Sequence, residues 1–452
     1  VINAHRFHFE TTTAAQSTQN DVGTATLKYL LPTGTATAIT NLGYGAGVYN
    51  AGTSTTGIRA WNQPASASNI ITRNTQWSLD TFGEDLIACR RGGRIYKWDT
   101  TIESNPDRAT FISASPSVNN SILVSPNDRH LISFGSTEFG TGDFNPMLVR
   151  WSDQNNYDNF TPSVSSTSGE NILTDGTEII GAVRSRNAVN IWTDNSIWLM
   201  TFTGPPFVFS FQPGGTNCGL IGPHAAVDFD GVSIWMGKDN FYAFDGQVRN
   251  LDCTVRRFIF DDFNRNAEDK VFAGINSEFK EIIWLYCSAD SDEPDKYVLY
   301  NPLEKTWSFG TTIYSTFEDK DVFGNTITTD VSSYLIDNEP EGIFTANGQG
   351  QNSFIESAAF DIEDGNEIMF MDRLIPDFTL NNGNVQFSIV AQSFPVNSAI
   401  TKGPFTITPD TKKVDLRARG RQAIVRVSCD GTGGTEWRYG SLRLSLQEDG
   451  LR

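Results

Sequence analysis

Charge is scarce in this sequence, and most of it is negative. Only 19% of the 452 residues are charged, with 34 Lys and Arg against 53 Asp and Glu, which gives a formal net charge of −19 at pH 7. An acidic field repels phosphate, and this argues against a protein that reads nucleic-acid sequence. The 39 Gly and 18 Pro also argue against coiled coils and helical bundles, because both residues are poor helix formers.

Cysteine and histidine are equally sparse. The five cysteines stand at least 34 residues apart, without a CxxC pair, at Cys89, Cys218, Cys253, Cys287 and Cys429. This spacing favours neither a zinc site nor a disulfide framework, and predicts small buried side chains in a reducing compartment. We therefore expect no metal and no cofactor.

The sequence also lacks the usual catalytic motifs. It contains no GxSxG, HExxH, Walker or GxGxxG pattern, and its only histidines are His5, His8, His130 and His224. A protein without enzymatic activity is expected. No apolar run approaches the roughly 18 residues of a membrane span, and the first residues do not resemble a signal peptide.

What the sequence does have is a recurring unit of apolar runs and short turns that ends near a tryptophan. These residues are separated by 53, 41, 43 and 49 positions, at Trp98, Trp151, Trp192, Trp235 and Trp284. A four-stranded propeller blade occupies about 40 to 50 residues. The spacing predicts an all-β fold whose residues 61–350 form a β-propeller of about six or seven irregular blades.

Within one unit the strands can be read directly. Residues 227–230, 232–236 and 241–244 alternate with turns at Gly231, at residues 237–240 and at Asp245-Gly246. The tryptophans are expected to pack between neighbouring blades, since a ligand-stacking role needs exposure. The long insert at residues 157–169 predicts a loop elaborated on one face.

Both flanks differ from this repeat. Residues 1–60, rich in Thr, Ala, Gly and Asn, predict an arm or partial sheet. Residues 351–452 predict an antiparallel β-sandwich-like module, with strands at 367–374, 385–391, 413–416, 423–428 and 441–446. One short helix is predicted at residues 255–270 from its apolar spacing.

Clustered acidic residues raise two alternatives to a purely structural role. Residues 290–295 and 361–365 offer oxygen ligands for Ca²⁺, but neither has the full loop pattern, so solvated turns are favoured. The pair Asp261-Asp262 could serve a glycosidase. Adjacent residues on an extended strand point to opposite faces, which disfavours that interpretation.

The carboxyl end differs from the rest in charge. Residues 410–452 contain nine Lys or Arg and six acidic residues. A basic module on an acidic body suits docking onto a neighbouring subunit, although an ordinary mixed sheet surface explains the same count. The candidate interface residues are Arg417, Arg419, Arg421, Arg438 and Arg443.

Three segments resemble structural proteins of tailed bacteriophages. Residues 271–310, VFAGINSEFKEIIWLYCSADSDEPDKYVLYNPLEKTWSFG, resemble a blade of such proteins, with Ile283 in place of a first Trp; the matching residues are Glu281, Trp284, Tyr286, Tyr297, Tyr300, Asn301 and Trp307. Residues 147–153, MLVRWSD, with 159–162, NFTP, are similar to another blade. Residues 437–443 and 449–452 resemble closing strands. The matches spread over roughly residues 80–310 and 410–452, and residues 1–60 match nothing.

This resemblance implies a tail nozzle or tail hub protein of a short-tailed phage. Such a protein is a virion component that forms a ring, in this family a hexamer, below the tail adaptor. It continues the channel for genome retention and DNA ejection, contacts fibres or other tail components, and is assembled in the host cytoplasm. DNA would pass without specific binding, in keeping with the acidic balance.

Two other kinds of propeller remain as alternatives. A glycan-binding or glycan-degrading propeller would gather acids and exposed tryptophans on one face, whereas most tryptophans here fall within predicted strands. A cellular scaffold propeller would show regular repeats with Gly-His and Trp-Asp signatures, of which only Trp98-Asp99 is present.

Overall fold

The structure is a computed structural model that describes residues 76–99, 109–125, 127–186, 188–320, 324–330, 334–338, 345–346, 349–350, 352–362, 365–394, 398–429 and 435–450. The predicted arm at residues 1–60, with His5 and His8, lies outside the described residues. The chain divides into two compact units, one ending at Asn338 and the other beginning at Glu339.

The first unit contains six successive antiparallel sheets in its described part. Five have four strands in sequential order, and the sixth has three. The first two sheets comprise β1 (Trp77–Phe82), β2 (Asp85–Arg90), β3 (Ile95–Trp98), β4 (Thr110–Phe111), and β5 (Asn119–Val124), β6 (Leu131–Thr137), β7 (Phe144–Trp151), β8 (Gly169–Ile172).

The next two sheets follow without a helix between them. They comprise β9 (Ile179–Arg184), β10 (Val189–Thr193), β11 (Ser196–Gly204), β12 (Val208–Thr216), and β13 (Ala226–Phe229), β14 (Val232–Met236), β15 (Phe241–Phe244), β16 (Val248–Asn250). The strands predicted at 232–236 and 241–244 are confirmed, and the one predicted at 227–230 lies one residue earlier.

Helical structure separates the fourth and fifth sheets. The single helix predicted at residues 255–270 is wrong: α1 (Arg256–Asp261) and a 3-10 helix (Arg265–Lys270) are interrupted at Asp262–Asn264. Asn264 begins a new helix because its side chain accepts a hydrogen bond from the Asn266 amide. The last sheets comprise β17 (Phe272–Asn276), β18 (Glu281–Tyr286), β19 (Lys296–Asn301), β20 (Thr306–Thr311), and β21 (Tyr314–Glu318), β22 (Ile327–Asp330), β23 (Leu335–Asp337).

These sheets are the blades of a β-propeller, because the first strand of each blade packs beside the first strand of the next. That order runs β1, β5, β9, β13, β17 and β21. Large side chains fill the spaces between blades: Trp192 and Trp235 are fully buried with ring centroids 5.4 Å apart. The predicted packing role is confirmed for four of the five tryptophans, whereas Trp98 is 37% exposed.

The second unit is an antiparallel sandwich, as predicted. Its described strands are β24 (Thr345–Ala346), β25 (Gln349–Gly350), β26 (Phe354–Glu356), β27 (Met369–Ile375), β28 (Phe378–Asn382), β29 (Val385–Gln392), β30 (Ile400–Ile407), β31 (Val414–Gly420), β32 (Gln422–Ser428), β33 (Glu436–Tyr439) and β34 (Arg443–Glu448). One sheet has the order β26-β32-β29-β30 and the other β31-β27-β34, beside a two-stranded ribbon, β28-β33, and a short pair, β24-β25. Its aliphatic core includes Met369, Phe387 and Val425.

The cysteines belong to these cores. Cys89, Cys218, Cys287 and Cys429 are buried, as predicted, and Cys253 is half-buried. Burial raises the pKa of the Cys89 thiol to about 12. A thiol in that state is a poor nucleophile, so this residue contributes packing and no chemistry.

Candidate functional site

The first strands of the six sheets surround a cavity at the centre of the propeller. A cavity of about 720 Å³ is lined by residues from β1, β5, β9, β13, β17 and β21. Its wall mixes apolar side chains such as Trp77, Ile122 and Phe317 with charged ones. Ligand sites occur preferentially in concave regions of this kind, where a few polar groups fix the ligand.

Hydrogen bonds fix the relative heights of the first strands. The Val124 amide donates to Asp80 Oδ2 at 2.6 Å, and Arg184 Nε donates to the Val124 carbonyl at 2.9 Å. These three residues therefore lie at one level of the channel. Ser277 N donates to Asp319 Oδ1 at 3.0 Å and likewise aligns the ends of β17 and β21. The charged wall residues on this side are Asp80, Arg184, Asp228 and Glu318, of which Arg184 and Glu318 end β9 and β21.

The charged side chains at this mouth bond either to another blade or within their own blade. Arg184 forms an ion pair with Asp80 of the first blade. Asp228 accepts hydrogen bonds from Gly231 N and Ser233 Oγ, both at 3.0 Å. Within the described parts of the chain, no group of three or more His, Cys, Asp or Glu could hold a metal ion. The mouth thus carries charges of both signs, and Asp80, Arg184 and Asp228 bond to groups of the propeller itself.

The opposite mouth of the channel contains His224, one of the two histidines in the part of the chain that the structure describes. His224 stacks on Phe272 with ring centroids 5.3 Å apart. Burial, and then the nearby Arg91 guanidinium, lower the pKa of His224 to about 4, so its ring is neutral at pH 7. Arg91 in turn lies 3.9 Å from Glu178. Gln76 Nε2 donates to the Asp269 carbonyl and ties the first blade to the 3-10 helix.

The other of these two histidines, His130, lies in a buried chain of hydrogen bonds. His130 Nδ1 is 2.6 Å from Asp128 Oδ2, and its Nε2 is 3.2 Å from Thr167 Oγ1. The order Asp-His-Thr resembles a catalytic triad, but His130 is fully buried and Thr167 Oγ1 lies 2.7 Å from Asp153 Oδ1. A substrate could not reach this imidazole. The chain instead fastens the loop after β7 to the start of β6.

The acidic stretch at residues 290–295 is organised around a lysine. Lys270 Nζ donates to the Asp292 carbonyl at 2.5 Å and to Glu293 Oε1 at 2.6 Å. Asp295 closes the loop by accepting from Ser288 N and Ser288 Oγ, both at 2.7 Å. The predicted turn is present. The ammonium group of Lys270, and not a Ca²⁺ ion, supplies the positive charge that binds these acidic residues. Part of the other stretch, residues 363–364, lies outside the described residues.

The adjacent pair Asp261-Asp262 does not lie on a strand, contrary to the interpretation from the sequence. The two residues end helix α1, whereas an extended strand was assumed. Asp261 lies 3.6 Å from Arg257, and Asp262 forms an ion pair with Lys296. Both carboxylates are thus paired with basic side chains, so the interpretation as a glycosidase pair stays disfavoured although its premise is corrected.

Three of the five candidate arginines share one sheet of the sandwich. Arg417 and Arg419 are exposed alternate residues on β31, and Arg443 begins β34 on the other side of β27. Arg419 Nε lies 2.5 Å from Asp449 Oδ2, and Arg443 lies 3.6 Å from Asp377. Two of these three guanidinium groups therefore already have acidic partners within the module.

The other two candidates are placed apart from them. Arg421 follows β31, donates to the Asn366 carbonyl and lies over the Phe394 ring at 5.0 Å. Arg438 is exposed on β33 of the separate ribbon. Among the described residues, Arg417 and Arg438 have no ion-pair partner. The predicted basic surface is thus divided into a sheet face and a ribbon, and its role in an interface stays a prediction.

Sequence reasoning missed two of the polar networks. Lys270 stood within a predicted helix, and nothing in its neighbourhood pointed to a loop more than 20 residues away. Asp128 and Thr167 were missed for the same reason, since the contact with His130 joins parts of the chain 37 residues apart. The only local signal was the spacing of Asp128 and His130, two residues apart and hence on one side of an extended segment.

No protein-family model and no curated protein matches the chain. Among solved structures, the β-propeller domain of Cps50 (Swd1) from Myceliophteria thermophila gives a TM-score of 0.37 at 7% identity, covering 59% of this chain and 85% of that one. A gluconolactonase from Xanthomonas campestris gives 0.29 at 10%, with 48% and 71% covered. The extracellular domain of a one-component system protein from B. thetaiotaomicron gives 0.34 at 8%, with 58% and 33% covered.

These likenesses are distant, and the propeller assignment follows from the chain's own sheets. Neither the enzyme nor the other proteins transfers a function to this chain at such identities. In the described residues no helix has the length and apolar character to cross a membrane.

Proposed function

We propose that this protein is a non-enzymatic structural component of a short-tailed bacteriophage, part of a nozzle or hub ring around the channel for genome retention and DNA ejection. The observation that carries the proposal is the placement of the segment with the densest resemblance. Residues 271–310 coincide with the fifth blade, from the start of β17 to within one residue of the end of β20.

The residues that match in this segment pack the blade. Trp284 is fully buried and donates from Nε1 to the Ala225 carbonyl of the preceding blade at 3.0 Å. Trp307 stacks against Trp284 with ring centroids 6.2 Å apart and against Tyr300 at 4.5 Å. The resemblance thus falls on residues that specify one blade and its contact with the blade before it.

The second resembling segment also behaves as one unit. Arg150 Nη2 donates to the Phe160 carbonyl at 3.0 Å, and Asp153 N donates to the Asn159 carbonyl at 2.8 Å. These bonds join RWSD to NFTP, the two halves of the resembling pattern. A pattern whose halves are bonded together supports a shared local structure more strongly than either half alone.

Charge supports the same role. Up to Asn338 the sequence contains 38 acidic and 23 basic residues, so copies arranged in a ring would surround a channel with negative potential. DNA would then pass without being held. Partners under this proposal are further copies of the chain, a tail adaptor above, and fibres or other tail components. Assembly would take place in the host cytoplasm and end in the virion.

Electron microscopy of the purified chain tests this proposal. We expect closed six-fold rings with a continuous central channel, with a native mass of six chains. The alternative is a glycan-binding or glycan-degrading propeller. Hydrolysis of a bacterial surface polysaccharide, abolished by Asp228→Asn at the channel mouth, would contradict the structural role.

A further inference from the structure

One stretch of the propeller carries no charge at all. Residues 195–227 form the longest uncharged run in the chain, 33 residues with a neutral His224, within a protein of net charge −19. The run contains β11 and β12, the two outermost strands of the third blade. Its hairpin turn is Gly204-Pro205-Pro206-Phe207.

A second uncharged segment lies next to this hairpin. Residues 159–169 carry no charged side chain, and all but Gly169, the first residue of β8, belong to the loop between β7 and β8 of the second blade. Trp151 joins the two segments: its Nε1 donates to the Thr167 carbonyl at 2.9 Å, and its ring meets Phe209 of β12 at 5.3 Å. We call residues 159–169 and 196–216 together the uncharged patch.

The uncharged patch exposes large apolar side chains. Val164 is fully exposed and Phe207 is 81% exposed, at the tips of the loop and the hairpin. Asp153 holds the loop by accepting from Thr167 N and Thr167 Oγ1, both at 2.7 Å. Burial raises the pKa of this carboxyl, but these hydrogen bonds outweigh burial and leave the pKa below its usual value.

Equivalent turns in the following blades are charged. The turn between the third and fourth strands contains Asp245 in the fourth blade and Glu304 and Lys305 in the fifth. The third blade differs from both, although the turn occupies the same place in the blade. The uncharged apolar tips of the second and third blades are therefore not a property of the repeat as a whole.

The charge distribution identifies what can cover such a patch. Two acidic chains repel each other wherever acidic surfaces meet, and an uncharged apolar area is where that repulsion is least and apolar burial is gained. A basic partner would instead be drawn to the acidic remainder. We propose that the uncharged patch is a contact surface between copies of this chain, an inference that rests on the self-assembly in the proposed function.

This proposal fixes the sign of the salt dependence. A contact without ion pairs gains from added salt, because screening weakens the repulsion between the acidic chains. Docking of the arginine-rich sandwich face onto the acidic propeller would weaken with salt, since the attraction itself is screened. The two surfaces thus make opposite predictions for the same measurement.

Sedimentation of the full chain with three single variants provides the test. Phe207→Asp and Val164→Asp place a negative charge on the uncharged patch. Leu303→Asp is the matched control, because Leu303 is 71% exposed in the corresponding turn of the fifth blade. We expect the two patch variants to weaken association about tenfold or more, while the control stays within about twofold.

Salt is varied in the same experiment. Association of the unaltered chain is expected to strengthen between about 50 mM and 500 mM NaCl. Unchanged assembly of Phe207→Asp and Val164→Asp, association that weakens with salt, or a monomer at every salt concentration would each overturn the proposal. Unaltered melting temperatures of the variants show that the exposed substitutions leave the fold intact.

Failure of this inference and failure of the proposed function give different results. Six-fold rings that persist in both patch variants would refute the contact surface and leave the nozzle or hub role standing. Salt-strengthened dimers that Phe207→Asp dissociates, without closed rings, would support the contact surface and contradict the ring.

Discussion

The strands of the two units are buried in different ways. Every residue of β6 and of β10 in the propeller is buried. In the sandwich, β31 alternates strictly between buried and exposed residues, and β29 between buried and half-buried ones. A propeller blade packs against a neighbouring blade on each of its two faces, whereas a sheet of the sandwich packs against the other sheet on one face only. This difference accounts for the contrast.

This difference determines where charged and polar groups can go. In the propeller they are trapped between blades, so His130 and Asn190 are buried with hydrogen-bonding partners. In the sandwich they occupy the outer face, as Arg417 and Arg419 do. Polar substitutions should therefore be costly in the first unit and cheap in the second, and four measurements can test this contrast.

Removal of a blade tryptophan should have the largest effect. Trp284→Ala deletes a fully buried ring and leaves a cavity between blades, at a cost of about 4 kcal/mol in the free energy of unfolding. Trp437→Ala in the sandwich deletes a half-buried ring, and about 1 to 2 kcal/mol is expected. Chemical denaturation of both variants measures the difference. Equal losses would show that the two units do not differ as described.

Loss of a buried lysine comes next. Lys270→Ala leaves Glu293 and the Asp292 carbonyl without their donor, and about 2 to 3 kcal/mol should be lost. Lys413→Ala removes an exposed ion pair with Asp415 in the sandwich and should cost under about 0.5 kcal/mol. Urea unfolding monitored by tryptophan fluorescence tests both. A Lys270→Ala chain as stable as its control would mean that the acidic loop does not depend on this ammonium.

Mild acid should affect only the unit that contains histidine. His224 has a folded-state pKa of about 4, so between pH 6.5 and pH 4 the unfolded chain binds more protons. Stability from this group is complete above pH 6.5 and declines as the pH falls, by about 1 to 2 kcal/mol between pH 7 and pH 5. His224→Gln should flatten this slope, and the subtraction removes the carboxylates common to both chains. Parallel curves would contradict a neutral His224.

The smallest effect is expected on the outer face of the sandwich. Arg419→Ala breaks an ion pair with Asp449 in which both side chains are about half exposed, and the loss should be about 0.5 kcal/mol. High salt should reduce that loss further, because screening already weakens the pair. Unfolding at low and high salt measures this. A salt-independent loss above about 2 kcal/mol would place Arg419 among the structurally essential residues.

The hydrophobic pattern was enough to predict the general architecture. The spacing of the tryptophans and the turns at Gly231 and Asp245-Gly246 predicted propeller blades, and the alternation in residues 385–391 predicted the strand β29 (Val385–Gln392). The edge strand β30 (Ile400–Ile407) was missed, because its side chains are almost all exposed and show no alternation. The helical region was wrong at its centre, since Asn264 caps a new turn instead of continuing the first helix.

Polar networks were much harder to predict. The triad-like order around His130 depends on Thr167, and the acidic loop depends on Lys270, and neither partner is near in the sequence. A search by residue type could name the histidines, but not which atoms they contact. Burial then decided their roles, since the same imidazole would be a plausible base if it were exposed.

The sequence by itself determined the all-β class, the blade period, the acidic balance and the uncharged run at residues 195–227, because composition and periodicity are local properties of the chain. Only the tertiary structure decided that Trp151 brings a second uncharged segment beside that run. It also decided that Arg184 is paired with Asp80 and that Lys270 fills an acidic loop. These are contacts between distant residues, and their energies depend on burial that exists only once the blades have packed.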